Sequence, residues 1–333
     1  MSSHEFGLVF AANERFAPPL AVAMHSALST LEAHCRPAIY VLDNGLSEPS
    51  RRRLSVVVTR VAPGEVIRFI RVPPTRLAGI RLPNDLPAAT LSRLLIPELL
   101  DPGITRVVYL DADVLVRRDL SALFRIELGD TIVAAARDFE YRSFDPESLE
   151  LSRSETEYSR PYYNAGVLVI EVPRWRDAGM TDRALERARR QFMPWADQDA
   201  LNATVQRWTT LDDRWNVQTR SIGLAKRRLL TDRGRYLHER ELYRSGAVWH
   251  FVGLQGKPWE PRCQILGTVH WAVAFARCGW HPPLKAFRWM SDWLARRVLA
   301  WPAIAVRRWK ARASAIGRTV ASIRARGRAG QAG

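Results

Sequence analysis

An α/β fold, a mostly parallel sheet with helices on both faces, is predicted by three features of the sequence. Short apolar runs alternate with segments carrying a helical apolar stripe, the βαβαβ rhythm of such a sheet. The runs are almost continuously apolar, as strands buried on two faces must be. Proline, glycine and asparagine punctuate their boundaries.

In chain order, Gly7–Ala12 (GLVFAA) is the first strand. The residues from Pro18 to Leu31 follow as a helix striped by Leu20, Met24, Ala27, Leu28 and Leu31. Ala38–Leu42 is a second strand, turned by Asp43-Asn44-Gly45, and Ser47 with Glu48 and Pro49 opens a helix to about Val58. Val66–Val72 is a third, ended by Pro73-Pro74 because proline cannot extend a ladder. A helix is expected at about Ala88–Leu100, then a strand at Arg106–Leu110 that runs directly into Asp111. Thr131–Ala136 and Tyr163–Glu171 complete the sheet. Between them, Asp138 to Tyr162 is polar with little periodicity, long enough for an active-site lid and equally compatible with a surface excursion.

The 333 residues, 47% hydrophobic and 25% charged, can bury a sizeable core and exclude a disordered chain. No basic-then-apolar leader and no run of roughly 20 apolar residues is present, so a cytoplasmic protein is expected. The three cysteines, Cys35, Cys263 and Cys278, are widely spaced, which suggests buried thiols rather than a disulfide framework or zinc site. The formal charge of +16 is unevenly placed: residues 285–333 hold twelve Lys/Arg against Asp292 alone, +11, leaving +5 for the rest. A nucleic-acid-binding reading therefore rests on the tail only. The expected organisation is a body at residues 1–280 and a basic amphipathic helical tail at 281–333. In that tail Trp289, Trp293, Trp301 and Trp309 are interleaved with arginines, and Pro302 divides it into two helices. Such a pattern suits an interfacial helix on an anionic membrane, against a helix packed on the body or a nucleic-acid arm.

In open α/β sheets, ligands sit outside the carboxyl ends of the strands. There Asp111 and Asp113 flank a small residue, Ala112. On an extended backbone they project to one side and could share a hard cation with substrate phosphates, although most D-x-D pairs are solvated turn acids. His250 follows the strand-like GAVW and opens HFVGLQGKPW. Its glycines permit close backbone approach and Lys257 supplies a point charge for a diphosphate, so His250 is either a third metal ligand or a core histidine. Asp197-Gln198-Asp199 precedes a helix, with acids placed to favour its N-terminus.

Taken in order, RVVYLDADVLVRRDL, YYNAGVLVIEVPRW, DQDALN and HFVGLQGKPW resemble glycosyltransferase family 8, over roughly Phe6 to Trp259. The likeness is nearest to its bacterial lipopolysaccharide galactosyl- and glucosyltransferases. It implies a GT-A fold, a UDP-sugar donor, Mn²⁺ or Mg²⁺, and retention of anomeric configuration. By the same likeness Asp111, Asp113 and His250 are the metal ligands and Arg93 lies on the donor side. Asp138 and Asn164 lie around the donor sugar, Asp197 binds its hydroxyls, and Gln198 stands nearest the reacting carbon. Gly253 and Lys257 belong to the diphosphate loop, with Ala112 beside the nucleotide. Where the family has A-A-D before residues that hold uracil and ribose, this chain has Ala11-Ala12-Asn13-Glu14-Arg15-Phe16. Asn13 could still accept from uracil N3–H. The implied acceptor is a saccharide or lipid-linked glycan, and the implied location is peripheral on the inner face of the cytoplasmic membrane. Two other readings of the same residues are a metal-dependent phosphohydrolase and a non-catalytic nucleotide-sugar-binding protein.

Overall fold

Strand β1 (Phe6–Ala12) divides the molecule into two cores, because alternate side chains of a strand face opposite ways. Leu8 and Phe10 enter one core and Val9 the other. We describe residues 5–83, 86–153, 160–219, 233–253, 257–260, 263, 267–282, 284–286 and 288–296 from a computed structural model. Parallel to β1 run β2 (Ala38–Asp43) and, on its other side, β4 (Arg106–Leu110), with β3 (Ile67–Arg71) outside β2. Next in sequence come β5 (Val114–Val116) and β6 (Val133–Arg137), then the short β7 (Ser143–Phe144), β8 (Leu151–Ser152) and β9 (Arg160–Pro161). They are followed by β10 (Tyr163–Glu171), β11 (Thr209–Thr210), β12 (Val217–Gln218) and β13 (Val248–His250). The main sheet has the order β11-β6-β10-β4-β1-β2-β3. It is mostly parallel, with β10 antiparallel to both β4 and β6.

Local chemistry explains the first crossovers. Helix α1 (Ala17–Thr30) carries Pro18 in its first turn, where a missing N–H leaves no bond unmade. Its Leu20, Met24 and Leu28 pack on Leu8, Phe10 and Val41. Each such fully buried leucine contributes about 2 kcal/mol. Gly45 turns the chain at φ 98°, and the Gly45 and Leu46 N–H groups donate to Asp43 Oδ1 at 2.9 and 2.7 Å. Ser47 Oγ then caps α2 (Glu48–Val61) by accepting from Ser50 N–H, with Glu48 in the first turn and Arg60 in the last. On the opposite face Val9, Tyr40 and Tyr109 pack with Leu94, Trp175 and Leu201, so helices cover both faces as expected.

The helix expected at about Ala88–Leu100 is broken. Ala88–Leu95 is a 3₁₀ helix and only Ile96–Leu99 is α-helical. Ile96 N–H bonds the Arg93 carbonyl in the tighter pattern, and Pro97 has no N–H to continue an α ladder. The polar stretch from Asp138 to Tyr162 is more ordered than its sequence suggests. Strands β8-β7-β9 make a small antiparallel sheet, fastened by Phe144 against Tyr162 at 5.3 Å between ring centroids; residues 154–159 within it lie outside the described residues.

The chain stays helical past the boundary expected at 280/281, over residues 284–286 and 288–296. Trp289 stands edge-on against Phe275 at 4.4 Å and Trp271 at 6.3 Å, and Trp293 is buried. Both rings are therefore part of the body's packing, whereas Leu284 and Leu294 remain exposed. Trp301, Pro302 and Trp309 lie outside the described residues. Among the described residues no helix is long and apolar enough to cross a membrane. Cys263 and Cys278 are buried as thiols outside any disulfide, and Cys35 is half-buried. Burial pushes the Cys278 thiol up to about 11.

Candidate active site

Beyond the carboxyl ends of β1, β4 and β6 opens a cleft of about 700 Å³. All fourteen residues singled out in the sequence line it: Ala11, Asn13, Arg15, Arg93, Asp111, Ala112, Asp113, Asp138, Asn164, Asp197, Gln198, His250, Gly253 and Lys257.

The two acids of the D-x-D do not sit on an extended strand. Asp111-Ala112-Asp113 is the turn that carries the chain from β4 into β5, which belongs to a second sheet, β12-β13-β5. This sheet delivers the histidine: β13 runs antiparallel to β5 with His250 opposite Val114, and Phe251 N–H donates to the Asp113 carbonyl at 3.0 Å. His250 Nε2 consequently lies 3.5 Å from Asp111 Oδ2 and 3.4 Å from Asp113 Oδ1. Ligand atoms of all three side chains fall within 4.8 Å of one another. Two carboxylate oxygens and one imidazole nitrogen, open toward the cleft, fit Mn²⁺ or Mg²⁺ with positions left for phosphate oxygens.

Buried cations balance the acids. Lys257 Nζ donates to Asp113 Oδ2 and, at 2.8 Å, to the Phe251 carbonyl. Burial works to raise the Asp113 pKa, but Lys257 and His250 beside it hold the carboxyl well below the usual range. Arg93 bridges Asp111 Oδ1 and Asp197 Oδ2, both at 2.7 Å, stacks over the Tyr109 ring, and donates to the Ala165 carbonyl. Tyr109 in turn donates to Asp111 Oδ1 at 2.7 Å. Burial lifts Asp197 to about 7 against the opposing charge of Arg93. Asp197 and Asp199 are thus more than helix-end acids. Asp199 accepts from Tyr162 O–H at 2.5 Å and Trp195 N–H at 2.7 Å, while burial raises its carboxyl to about 6.

The register of β10 against β6 shifts between Tyr163 and Leu168, an irregularity that aims Asn164 into the cleft. Asn164 Nδ2 and Gln198 Nε2 both donate to Asp138 Oδ2, at 3.1 and 3.3 Å, and Asp138 Oδ1 accepts from Glu140 and Tyr141 N–H. Gln198 Oε1 accepts from Ala165 N–H at 3.0 Å, so both ends of its carboxamide are oriented. At the far end Asn13 Oδ1 accepts from Phe16 N–H at 3.3 Å, capping a short 3₁₀ turn. Glu14 holds the entry to α2 through Ser47 and Ser50, and those hydrogen bonds, the Ser47 N–H foremost, lower its pKa. Gly253 adopts φ 98° beside Lys257, a backbone suited to glycine. Residues 254–256 of that loop lie outside the described residues.

Three residues of the site escaped the sequence reading. Gly166 is one: a Cβ there would stand 2.6 Å from His250 Nδ1 and 2.9 Å from Asp111 Oδ2. A glycine inside an apolar strand was the available signal. Tyr109 passed as an ordinary strand residue. Asn216, completely buried and 2.9 Å from His250 Nδ1, gave no signal, since its neighbours are remote in sequence.

A two-acid, one-histidine cluster able to hold a metal ion, beside a buried lysine and a carboxamide–carboxylate group at the strand ends of an α/β sheet, is an arrangement of the glycosyltransferase kind. The sequence profile of glycosyl transferase family 8 matches residues 7–263, and the chain belongs to that family. General stress protein A of Bacillus subtilis (strain 168) is 28% identical over 260 residues, 76% of this chain and 87% of that protein. The lipopolysaccharide 1,2-glucosyltransferase of Escherichia coli (strain K12) is 26% identical over 191 residues, 56% of this chain and 54% of that one. The crystal structure of galactosyltransferase LgtC in complex with donor and acceptor sugar analogs superposes with a TM-score of 0.65 at 27% identity. It matches 81% of this chain and 95% of that one. The fold is GT-A.

Proposed function

We propose that this glycosyltransferase transfers a hexose, galactose or glucose, from a UDP-sugar to a saccharide or lipid-linked glycan, with retention of anomeric configuration. The observation that carries the reading is that the Asp111–Asp113–His250 cluster shares one cleft with Lys257 on one side and with Asp138, Asn164 and Gln198 on the other. A phosphohydrolase has no use for the second group. The named relatives, a lipopolysaccharide glucosyltransferase and a galactosyltransferase crystallised with donor and acceptor analogs, support the choice of sugar and acceptor class.

In this reading Asp111, Asp113 and His250 hold Mn²⁺ or Mg²⁺, which when bound offsets negative charge on the diphosphate. Lys257, buried beside Asp113, adds a positive charge to the same leaving group, with Gly253 giving its oxygens room. Arg93 fixes Asp111 and Asp197, so that Asp197 can receive sugar hydroxyls. Asp138 and Gln198 face the anomeric carbon, where positive charge develops as the bond to the β-phosphate oxygen breaks. Gln198 is a poor nucleophile and its carboxamide is tied at both ends. The acceptor hydroxyl therefore attacks from the leaving-group face, forms the new glycosidic bond and passes its proton to the departing phosphate. Ala11, Asn13, Arg15 and Ala112 line the nucleotide end, with one lone pair of Asn13 Oδ1 engaged by Phe16 N–H and the other free for the uracil edge.

Incubation with Mn²⁺ and a panel of nucleotide sugars tests the reading, scored by slow donor hydrolysis and by NMR of the product anomer. UDP-galactose or UDP-glucose should turn over with retention. Phosphate release from simple esters without any donor turnover would sink the proposal, and a covalent glycosyl adduct on Asp138 or Asp197 would sink the mechanism. Exposed Leu284 and Leu294 with Lys285, Arg288 and Arg296 support docking on an anionic membrane surface, and in this reading the protein is peripheral on the inner face of the cytoplasmic membrane. Flotation with anionic vesicles should weaken when Lys285, Arg288 and Arg296 are replaced by glutamate; undiminished binding rules this surface out.

A further inference from the structure

Behind the histidine lies a line of amides of which the proposed reaction uses only the Asn164 end. Asn216, between the 3₁₀ turn Asp213–Trp215 and β12, is wholly buried. Its side chain touches His250 Nδ1 at 2.9 Å on one end and Asn164 at 2.9 Å on the other. The direction of every hydrogen bond in this line is determined by its far end. Gly166 N–H, which can only donate, lies 3.1 Å from one terminus of the Asn164 carboxamide, so that terminus is the oxygen. The other terminus lies 3.1 Å from Asp138 Oδ2, whose carboxylate accepts, so it is the NH₂. Two independent neighbours therefore agree on how Asn164 stands.

Asn216 reaches the same Asn164 oxygen and must present its own NH₂ to it. Its carbonyl oxygen is left facing His250 Nδ1, which accordingly carries the proton. In the neutral ring the Nε2 atom, on the side of Asp111 and Asp113, then keeps its lone pair. We propose that Asn216 is a positioning residue that locks His250 in the Nδ1–H tautomer through the one-way chain His250 → Asn216 → Asn164, anchored by Gly166 N–H and Asp138. The role of that lone pair rests on the ligand set read above. Without Asn216 nothing opposes the pull of the Asp111 and Asp113 carboxylates on a proton at Nε2, so the ring could exchange tautomer; Thr219 Oγ1 bonds only the His250 carbonyl. Outer partners of this kind alter metal affinity by about 10–100-fold.

The test uses the full chain with ¹⁵N-labelled histidine, free of metal, at a pH of about 9, above the ordinary histidine range. His250→Gln identifies the signal among the seven histidines. Wild-type His250 should show a protonated Nδ1 and a bare Nε2. Asn216→Ala should mix the tautomers and weaken Mn²⁺ binding, measured calorimetrically, by about 10–100-fold. A wild-type ring protonated on Nε2 overturns the proposal with no variant needed, so a failure of Asn216→Ala to fold leaves it falsifiable. A folded Asn216→Ala with unchanged tautomer and unchanged Mn²⁺ affinity overturns it equally. Wild type that holds the Nδ1–H form yet takes up no Mn²⁺ refutes the ligand set instead, which separates the two failures.

Discussion

Asp111-Ala112-Asp113 and Asp197-Gln198-Asp199 carry the same acid–x–acid spacing, yet their carboxylates end in opposite arrangements. The first pair occupies a turn between two sheets, and both side chains close on His250. The second occupies the first turn of the helix Asp197–Thr204, where residues two apart point about 200° away from each other. Asp197 turns to Arg93 and Asp199 to Tyr162 and Trp195. Their surroundings differ as well. Asp113 has Lys257 and His250 beside it and is held far below the ordinary carboxylate range, whereas Asp199 has only neutral donors and burial lifts it to about 6. Spacing alone does not distinguish carboxylates that converge from carboxylates that part; the element that carries them does, and Asp197, paired with Arg93, differs again from Asp199.

The comparison breaks most directly at Asp113. Asp113→Asn removes an anionic ligand and leaves Lys257 without its carboxylate, so transfer should fall about a thousandfold or more and Mn²⁺ binding should vanish in calorimetry. Asp199→Asn should leave Mn²⁺ affinity unchanged, and equal losses in both variants would erase the distinction. Gly166→Ala comes next. Its methyl would displace the His250 ring and crowd Asp111, lowering Mn²⁺ affinity by about a hundredfold with only a modest change in melting temperature. Near-wild-type affinity would mean that the ring position does not matter.

A third difference between the two pairs concerns pH. The folded chain keeps a proton on Asp199 up to about 6, while the unfolded chain releases it near the model-peptide value of 3.8. The folded state thus binds more protons in this window, and stability contributed by Asp199 is present below about 4 and is lost as pH rises through about 6. Urea melts should show wild type losing up to about 3 kcal/mol relative to Asp199→Asn between those limits. Parallel curves would mean that the carboxyl is ordinary.

Strands at Arg106–Leu110 and Tyr163–Glu171 were legible to the residue, and the other expected strands to within one or two, because burial on both faces selects continuous apolar runs. Strands β5, β11 and β12, two or three residues long, were not foreseen. The helix expected at Ala88–Leu100 was misjudged because its apolar spacing suits a helix while Pro97 interrupts the ladder. The polar segment after Asp138 hid a small sheet whose strands are too short to show a period. In the tail, Trp289 packs beside Phe275 and Trp271, and the buried Trp293 stacks beside Trp289, although their interleaving with arginines reads in sequence as a membrane-facing pattern.

By itself the sequence determined the strand and helix rhythm, the family, and the residue types that gather in the cleft, since these follow from local periodicity and from motifs in order. Only the tertiary structure decided which acids converge. Pairing of β13 with β5 brings His250 beside Asp113, Gly166 leaves room for its ring, and Asn216 meets it from another loop. Cross-strand register and burial join residues far apart in the chain, and the charges and hydrogen bonds that give Asp113 and Asp199 different chemistry exist only once those residues meet.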